Sequence, residues 1–215
     1  MSQETLSQLE AQLASAVAVY IPTLGLSHHA VRRGATDIGL NEGEVSLLCP
    51  NGPQDIAAIL WRQFNQVLND NCSPETLEGL KIRDKIRTLL ITWLDAAAAD
   101  EAVARRLTGN LALPLHLGLY QRLLWESADL IWLKAGDKAL DGNHYSKRAI
   151  VSGILATALL TRLSQGREAQ NEQVERNIEQ VMAFEKFKAK LPFKPEDTLL
   201  GLFETLGKFR FGTAA

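Results

Sequence analysis

Apolar residues recur every three or four positions along almost the whole chain, and strictly alternating runs are nearly absent. That period predicts an all-α protein. The first helix is expected from Gln3 to Tyr20, stopping before Pro22. Two short helices follow on either side of Gly39, within ATDIGLNEGEVSLLC (35–49), where Ile38, Leu40, Val45 and Leu48 supply a small core. Asn51-Gly52-Pro53 reads as a stop and a fresh start, with Pro53 in the first turn of a helix reaching about Asp70. Ser73-Pro74-Glu75 repeats the device: a cap, a residue that needs no N–H, and an acid at the positive helix end.

Further on, Ile82, Ile86, Leu89, Leu90 and Trp93 share one helix face. The alanine-rich Asp95 to Ala104 stretch is a helix end and restart. An apolar stretch from Leu111 to Leu133 is kinked or split by Pro114. Lys134 to Gly142 is a loop, followed by helices from Asn143 to Leu163 and from Asn171 to Lys190. The second of these carries an inner stripe of Val174, Ile178, Val181 and Met182. Pro192 and Pro195 mark a hinge before a last segment, Thr198 to Phe211. The expected organisation is a helix-turn-helix-like module (1–72), a helical bundle (73–191), and a hinge with an amphipathic C-terminal segment (192–215). A three-helix module ahead of a larger bundle resembles the TetR family of regulators.

Charge changes what that resemblance can mean. The whole chain is near neutral, at −2, so bulk electrostatics draws it to neither nucleic acid nor an anionic surface. Through Asp70 only Arg32, Arg33 and Arg62 are basic, against seven acids, a net −4. Non-specific DNA affinity comes mostly from basic side chains that displace counterions, and this module lacks them. Its second short helix holds Glu42 and Glu44, and only Asn41 could read a base edge. A helical scaffold that keeps the shape without the DNA chemistry is the expectation.

Candidate catalytic chemistry is sparse. His28 and His29 are adjacent and point about 100° apart on a helix, so they share a metal poorly. His116 sits in an apolar stretch, where a hydrogen-bonded core histidine is commoner than a ligand. No Glu-x-x-His pair, Gly-x-Ser-x-Gly elbow, P-loop or dinucleotide fingerprint occurs. Neither a metal nor a cofactor is expected, and the chain is not read as an enzyme. Cys49 and Cys72 have no metal-type spacing and are expected as buried thiols of a reducing compartment. The uncharged run from Ala149 to Thr161 is too short to span a bilayer, and MSQETLSQLE reads as neither a signal nor a transit peptide.

Two segments carry more. In LWESADLIWLKAGD (124–137), Trp125, Asp129 and Trp132 fall on one helix face. A carboxylate between tryptophans is costly to bury without a partner. The face lines an aromatic cavity or subunit seam, or it packs its tryptophans into the core and leaves Asp129 half-exposed. In DGNHYSKRAIVSGILATALL (141–160), Asn143, His144, Tyr145, Lys147 and Arg148 form either a partner-binding patch rich in aromatics and arginine or a well-capped helix start.

These motifs, followed by Val181-Met-x-Phe-Glu-Lys, resemble the ubiquinone-biosynthesis accessory family known as coenzyme Q protein nine, over about Lys81 to Lys190. The resemblance implies a TetR-like fold without DNA binding, a homodimer, and a hydrophobic pocket for isoprenoid or quinone-like lipid or phospholipid. It also implies a non-catalytic role beside a membrane-bound demethoxyubiquinone hydroxylase. The family's partner motif maps onto Asn143, His144 and Tyr145, with His144 where the family usually has an apolar aromatic. The pocket is expected to involve Leu111, Leu115, Leu119, Trp125, Asp129 and Trp132. The protein is expected to be cytoplasmic and peripheral on the inner membrane of a bacterium. A ligand-responsive TetR-type transcription regulator and a purely structural dimer are the competing readings. In the tail, Leu199, Leu202, Phe203, Leu206 and Phe209 form one stripe beside a lysine cluster, Lys186 to Lys194. Such a segment can lie in the headgroups of an anionic bilayer or dock on its own bundle.

Overall fold

A computed structural model describes residues 3–137 and 142–190. The chain forms ten α-helices over these residues and no strand among them. The front holds α1 (Gln3–Ala18), α2 (Ile21–Leu24), α3 (His28–Asp37) and α4 (Glu42–Leu48). The bundle is built from α5 (Pro53–Asn71), α6 (Ile82–Ala97), α7 (Glu101–Leu111), α8 (Leu117–Ala135), α9 (Gly142–Gln165) and α10 (Arg167–Lys190). The tail stripe from Leu199 to Phe209 and the Pro192–Pro195 hinge lie outside the described residues, as do the side chains of Asn143 and Met182.

Local chemistry explains most boundaries. Pro53 opens α5, because its missing N–H is one that a first turn leaves unbonded anyway. Asp100 caps α7 through the amides of Ala102 and Val103, which accounts for the restart after the alanines. Pro114 does split the apolar stretch: a 3-10 turn at Pro114–His116 separates α7 from α8. Two expectations need correction. Helix α1 ends at Ala18, and Pro22 stands inside the short α2. Ser73-Pro74-Glu75 starts only a 3-10 turn, Glu75–Leu77, since Gly79 then takes a left-handed φ of 73° and breaks the chain before α6.

One apolar core runs through the front helices and the bundle without a break. Its centre is a polar-tipped aromatic cluster. Trp61 of α5, wholly buried, lies tilted against Trp93 at 5.0 Å and edge-on to Tyr120 at 5.6 Å. Its indole N–H donates to the Leu123 carbonyl (3.1 Å) and to Ser127 Oγ (3.0 Å). Trp93 donates to Asn65 Oδ1 at 2.7 Å, which also accepts from Ser127 at 2.8 Å. Helix α5 therefore belongs to both the front module and the bundle. Burial drives the Tyr120 hydroxyl up to about 12 and the Cys49 thiol up to about 11. Both groups are neutral near pH 7, and both cysteines are free and buried.

Candidate functional site

In the helix-turn-helix, Gly39 takes φ 72° and turns the chain between α3 and α4, and Asn41 caps α4. The Asn41 side chain accepts from Glu44 N–H at 3.0 Å, and Glu44 Oε2 accepts from Asn41 N–H at 2.8 Å. This reciprocal box occupies the side chain that could have read a base and gives Glu44 a structural duty. Of the three basic residues, Arg62 is spent on Glu126 (3.0 Å) and Arg33 lies over the Tyr20 ring at 5.7 Å. Leu48 is buried, but Ile38 stays 36% exposed, so the expected small core is thinner than its spacing suggests. A concavity of about 320 Å³ lies between α3 and α4, lined by mixed groups including His28, Arg32, Glu42, Ser46 and Cys49.

The apolar concavity is elsewhere, at the junction of α6, α8, α9 and α10. It is a groove of about 70 Å³ lined by Ile82, Arg83, Ile86, Trp132, Ile150, Val151, Ile154, Ile178 and Val181. Trp132 gives its N–H to the Lys147 carbonyl (3.0 Å) and holds the Lys147 ammonium 5.2 Å from its ring centre, so its hydrocarbon edge is free to line the wall. Along the rim, Arg83 faces Glu175 (3.6 Å) and Glu179 (3.5 Å). Beside it Arg87 binds Glu175 (2.7 Å) and Asp84 (2.6 Å). The pairs to Glu175 and Glu179 tie α10 to α6.

The expected pocket residues do not come together. Leu111 is sealed in the core, whereas Leu115 is 89% exposed at the tip of the 3-10 turn. The split at Pro114 turns these two positions to opposite environments. Neither lines the groove, nor do Leu119, Trp125 or Asp129; Trp132 does. The groove's own signal was present in the sequence as two isoleucine pairs four apart, Ile82–Ile86 and Ile150–Ile154, one turn of helix each. Ile82 accordingly sits at a groove wall, 47% exposed, rather than in the core with Leu89 and Trp93.

Asp129 finds the partner that its position demanded. Arg148, 1% exposed, donates from Nε to Asp129 at 2.5 Å and from Nη1 to Asp137 at 3.4 Å and to the His144 carbonyl at 3.1 Å. Lys147 reaches Asp137 at 2.7 Å. The Arg148 expectation is therefore corrected: its charge is turned inward to join α8 to α9 and is not offered to a partner. Lys147, half-buried, is likewise engaged internally. Tyr145 is 66% exposed and lies 6.2 Å from Trp125 and 5.2 Å from His144, ring centre to ring centre. His116 is hydrogen-bonded, to the Asn110 carbonyl (2.9 Å) and Gln54 (3.0 Å), but half-buried in the 3-10 turn and not in the core. Among the described residues no three metal-ligating side chains converge, and no helix is long and apolar enough to cross a membrane.

Fold and groove together define a TetR-like helical bundle with an apolar slot beneath α10. A TetR transcriptional regulator from Nitrosomonas europaea ATCC 19718 superposes with a TM-score of 0.61 at 10% identity, covering 82% of this chain and 97% of that one. Likeness at that identity speaks for the fold alone. Residues 119–185 match the COQ9 family model. The chain is 24% identical over 173 residues to the mitochondrial ubiquinone biosynthesis protein COQ9 of Rattus norvegicus, covering 74% of this chain and 53% of that protein. It is 26% identical over 166 residues to the protein of the same name from Bos taurus (74% and 52%). The chain spans about half the length of the curated relatives it matches.

Proposed function

We propose that this chain is a non-catalytic accessory protein of ubiquinone biosynthesis that shelters the isoprenoid tail of a quinone-type lipid in the groove beneath α10. It works as a homodimer, peripheral on the inner membrane of a bacterium. It presents the Trp125–His144–Tyr145 aromatic end to a demethoxyubiquinone hydroxylase. The observation that carries this reading is the coincidence of groove and family match. Trp132, Ile150, Val151, Ile154, Ile178 and Val181 all lie within the matched residues 119–185.

The groove as it stands is small. Pockets that take a drug-sized ligand run to about 300 Å³ or more, so a lipid chain enters only as α10 lifts from α6. Lifting α10 exposes two buried apolar side chains and opens the rim ion pairs. Val174 and Ile178 are the buried apolar residues of α10's described inner stripe, and the partly exposed rim ion pairs contribute about 1 kcal/mol or less apiece. Gly166, with φ 92°, forms the joint between α9 and α10.

Ile150 lines the slot but is only half-buried, so Ile150→Asp should spare the fold and harm the ligand. Setting a carboxylate against a hydrocarbon tail should weaken binding of a short-chain isoprenoid benzoquinone by about tenfold. Quenching of tryptophan fluorescence, with Trp132 in the wall, reads the affinity. Unchanged affinity would move the lipid out of this groove.

The regulator reading draws on the same fold, but the −4 front module and the committed Asn41 and Glu44 count against it.

A further inference from the structure

The segment LALPLHL (111–117) places leucines where water should be. Leu113, Leu115 and Leu117 are 49%, 89% and 43% exposed, grouped around one 3-10 turn between α7 and α8. Apolar side chains gathered at a tip mark an interaction site more often than chance exposure does. The turn is also built to hold its shape. His116 N–H donates to the Leu113 carbonyl at 2.8 Å, and its ring bridges Asn110 and Gln54. With the Gln54 amide donating to Nε2, the ring's Nδ1–H is the donor to the Asn110 carbonyl, so a neutral imidazole satisfies both contacts.

The surroundings select the partner. No acidic residue occurs from Ala102 to Trp125, while Arg105, Arg106 and Arg122 do. Arg105 has Glu101 at 3.6 Å. Arg106 and Arg122 are exposed, and neither pairs with a carboxylate among the described residues. Arg106 lies five residues before the end of α7 at Leu111, and Arg122 five residues after the start of α8 at Leu117. At 1.5 Å per residue each arginine is rooted about 7.5 Å from the end of its helix that meets the turn. Amphipathic elements bury their apolar side about 5–10 Å into the boundary between headgroups and acyl chains. Leucines seated at that depth would set both arginines at the phosphates, with their stems along the apolar layer.

We infer that the α7–α8 turn is a bilayer-contact wedge: Leu113, Leu115 and Leu117 enter an anionic membrane surface while Arg106 and Arg122 bind its phosphates. The wedge belongs to the described fold and acts independently of the C-terminal tail and of the groove. It also places Leu115, expected in a pocket, on a lipid surface instead.

The test is flotation of the full chain with vesicles of phosphatidylcholine and phosphatidylglycerol, and with phosphatidylcholine alone. Leu115→Asp should lower the apparent affinity for mixed vesicles about ten- to a hundredfold. Arg106→Gln with Arg122→Gln should lower it about tenfold on mixed vesicles and leave neutral vesicles unaffected. Leu115→Cys, carrying an environment-sensitive dye, should show a blue shift on mixed vesicles, and the buried Cys49 and Cys72 stay unlabelled in the folded chain. Wild-type flotation by Leu115→Asp, or an unshifted dye, overturns the wedge. So does loss of a self-assembled species in Leu115→Asp with vesicle binding intact, which would give the tip to a second copy of the chain.

Discussion

Arg148→Ala should cost about 3 kcal/mol of folding stability in chemical denaturation, at the low end of what breaking a buried ion pair costs. Arg148 is 1% exposed and Asp137's side chain only 7%, so truncating the arginine leaves a carboxylate in a place that water hardly reaches. The low end applies because Asp129, at 40%, can hydrate once abandoned and because Lys147 still reaches Asp137 at 2.7 Å. The asymmetry makes the account testable within one experiment. Asp129→Asn removes the exposed partner and should cost about 1 kcal/mol or less. Equal losses from the two variants would show that the cluster is not organised around the buried guanidinium.

Trp61→Ala should cost about 3–5 kcal/mol, the range for deleting a large aromatic from a packed core. The indole is wholly enclosed, contacts Trp93 and Tyr120, and supplies the N–H that Leu123 and Ser127 share. Its place on α5 sharpens the expectation. If residues 1–72 and 73–191 folded as separate units, the variant would melt in two steps. Because the core runs unbroken through α5, circular dichroism and tryptophan fluorescence should report one coincident transition, shifted to lower denaturant. A front module that melts alone, with the bundle intact, would contradict this.

The helices were largely readable from the sequence because their signals are local. Pro53 needs only its own ring to open α5, Gly39 only its missing Cβ to turn, and Asp100 only the amides two and three residues on to cap α7. The site was less readable because its chemistry is distant. Arg148 looked like a surface residue beside Tyr145. What buries it are Asp129 and Asp137, 19 and 11 residues away, and no spacing rule records that pairing. Leu111 and Leu115 share helical spacing, yet the turn at Pro114 sends one into the core and the other into solvent. Periodicity says which residues share a face and is silent on what the face meets. The same holds for α4: its glutamates read as hostile to phosphate, and the capping role of Glu44 emerged only with the backbone in place.

The central claim of the proposed function is that this bundle carries an isoprenoid lipid. Native mass spectrometry of the full chain purified from cells tests it most directly. The account predicts a species heavier than the bare chain by one quinone-type isoprenoid lipid, and loss of that species in Ile150→Asp at unchanged secondary structure. A chain that is always empty and instead retards DNA fragments in a salt-sensitive way would contradict it.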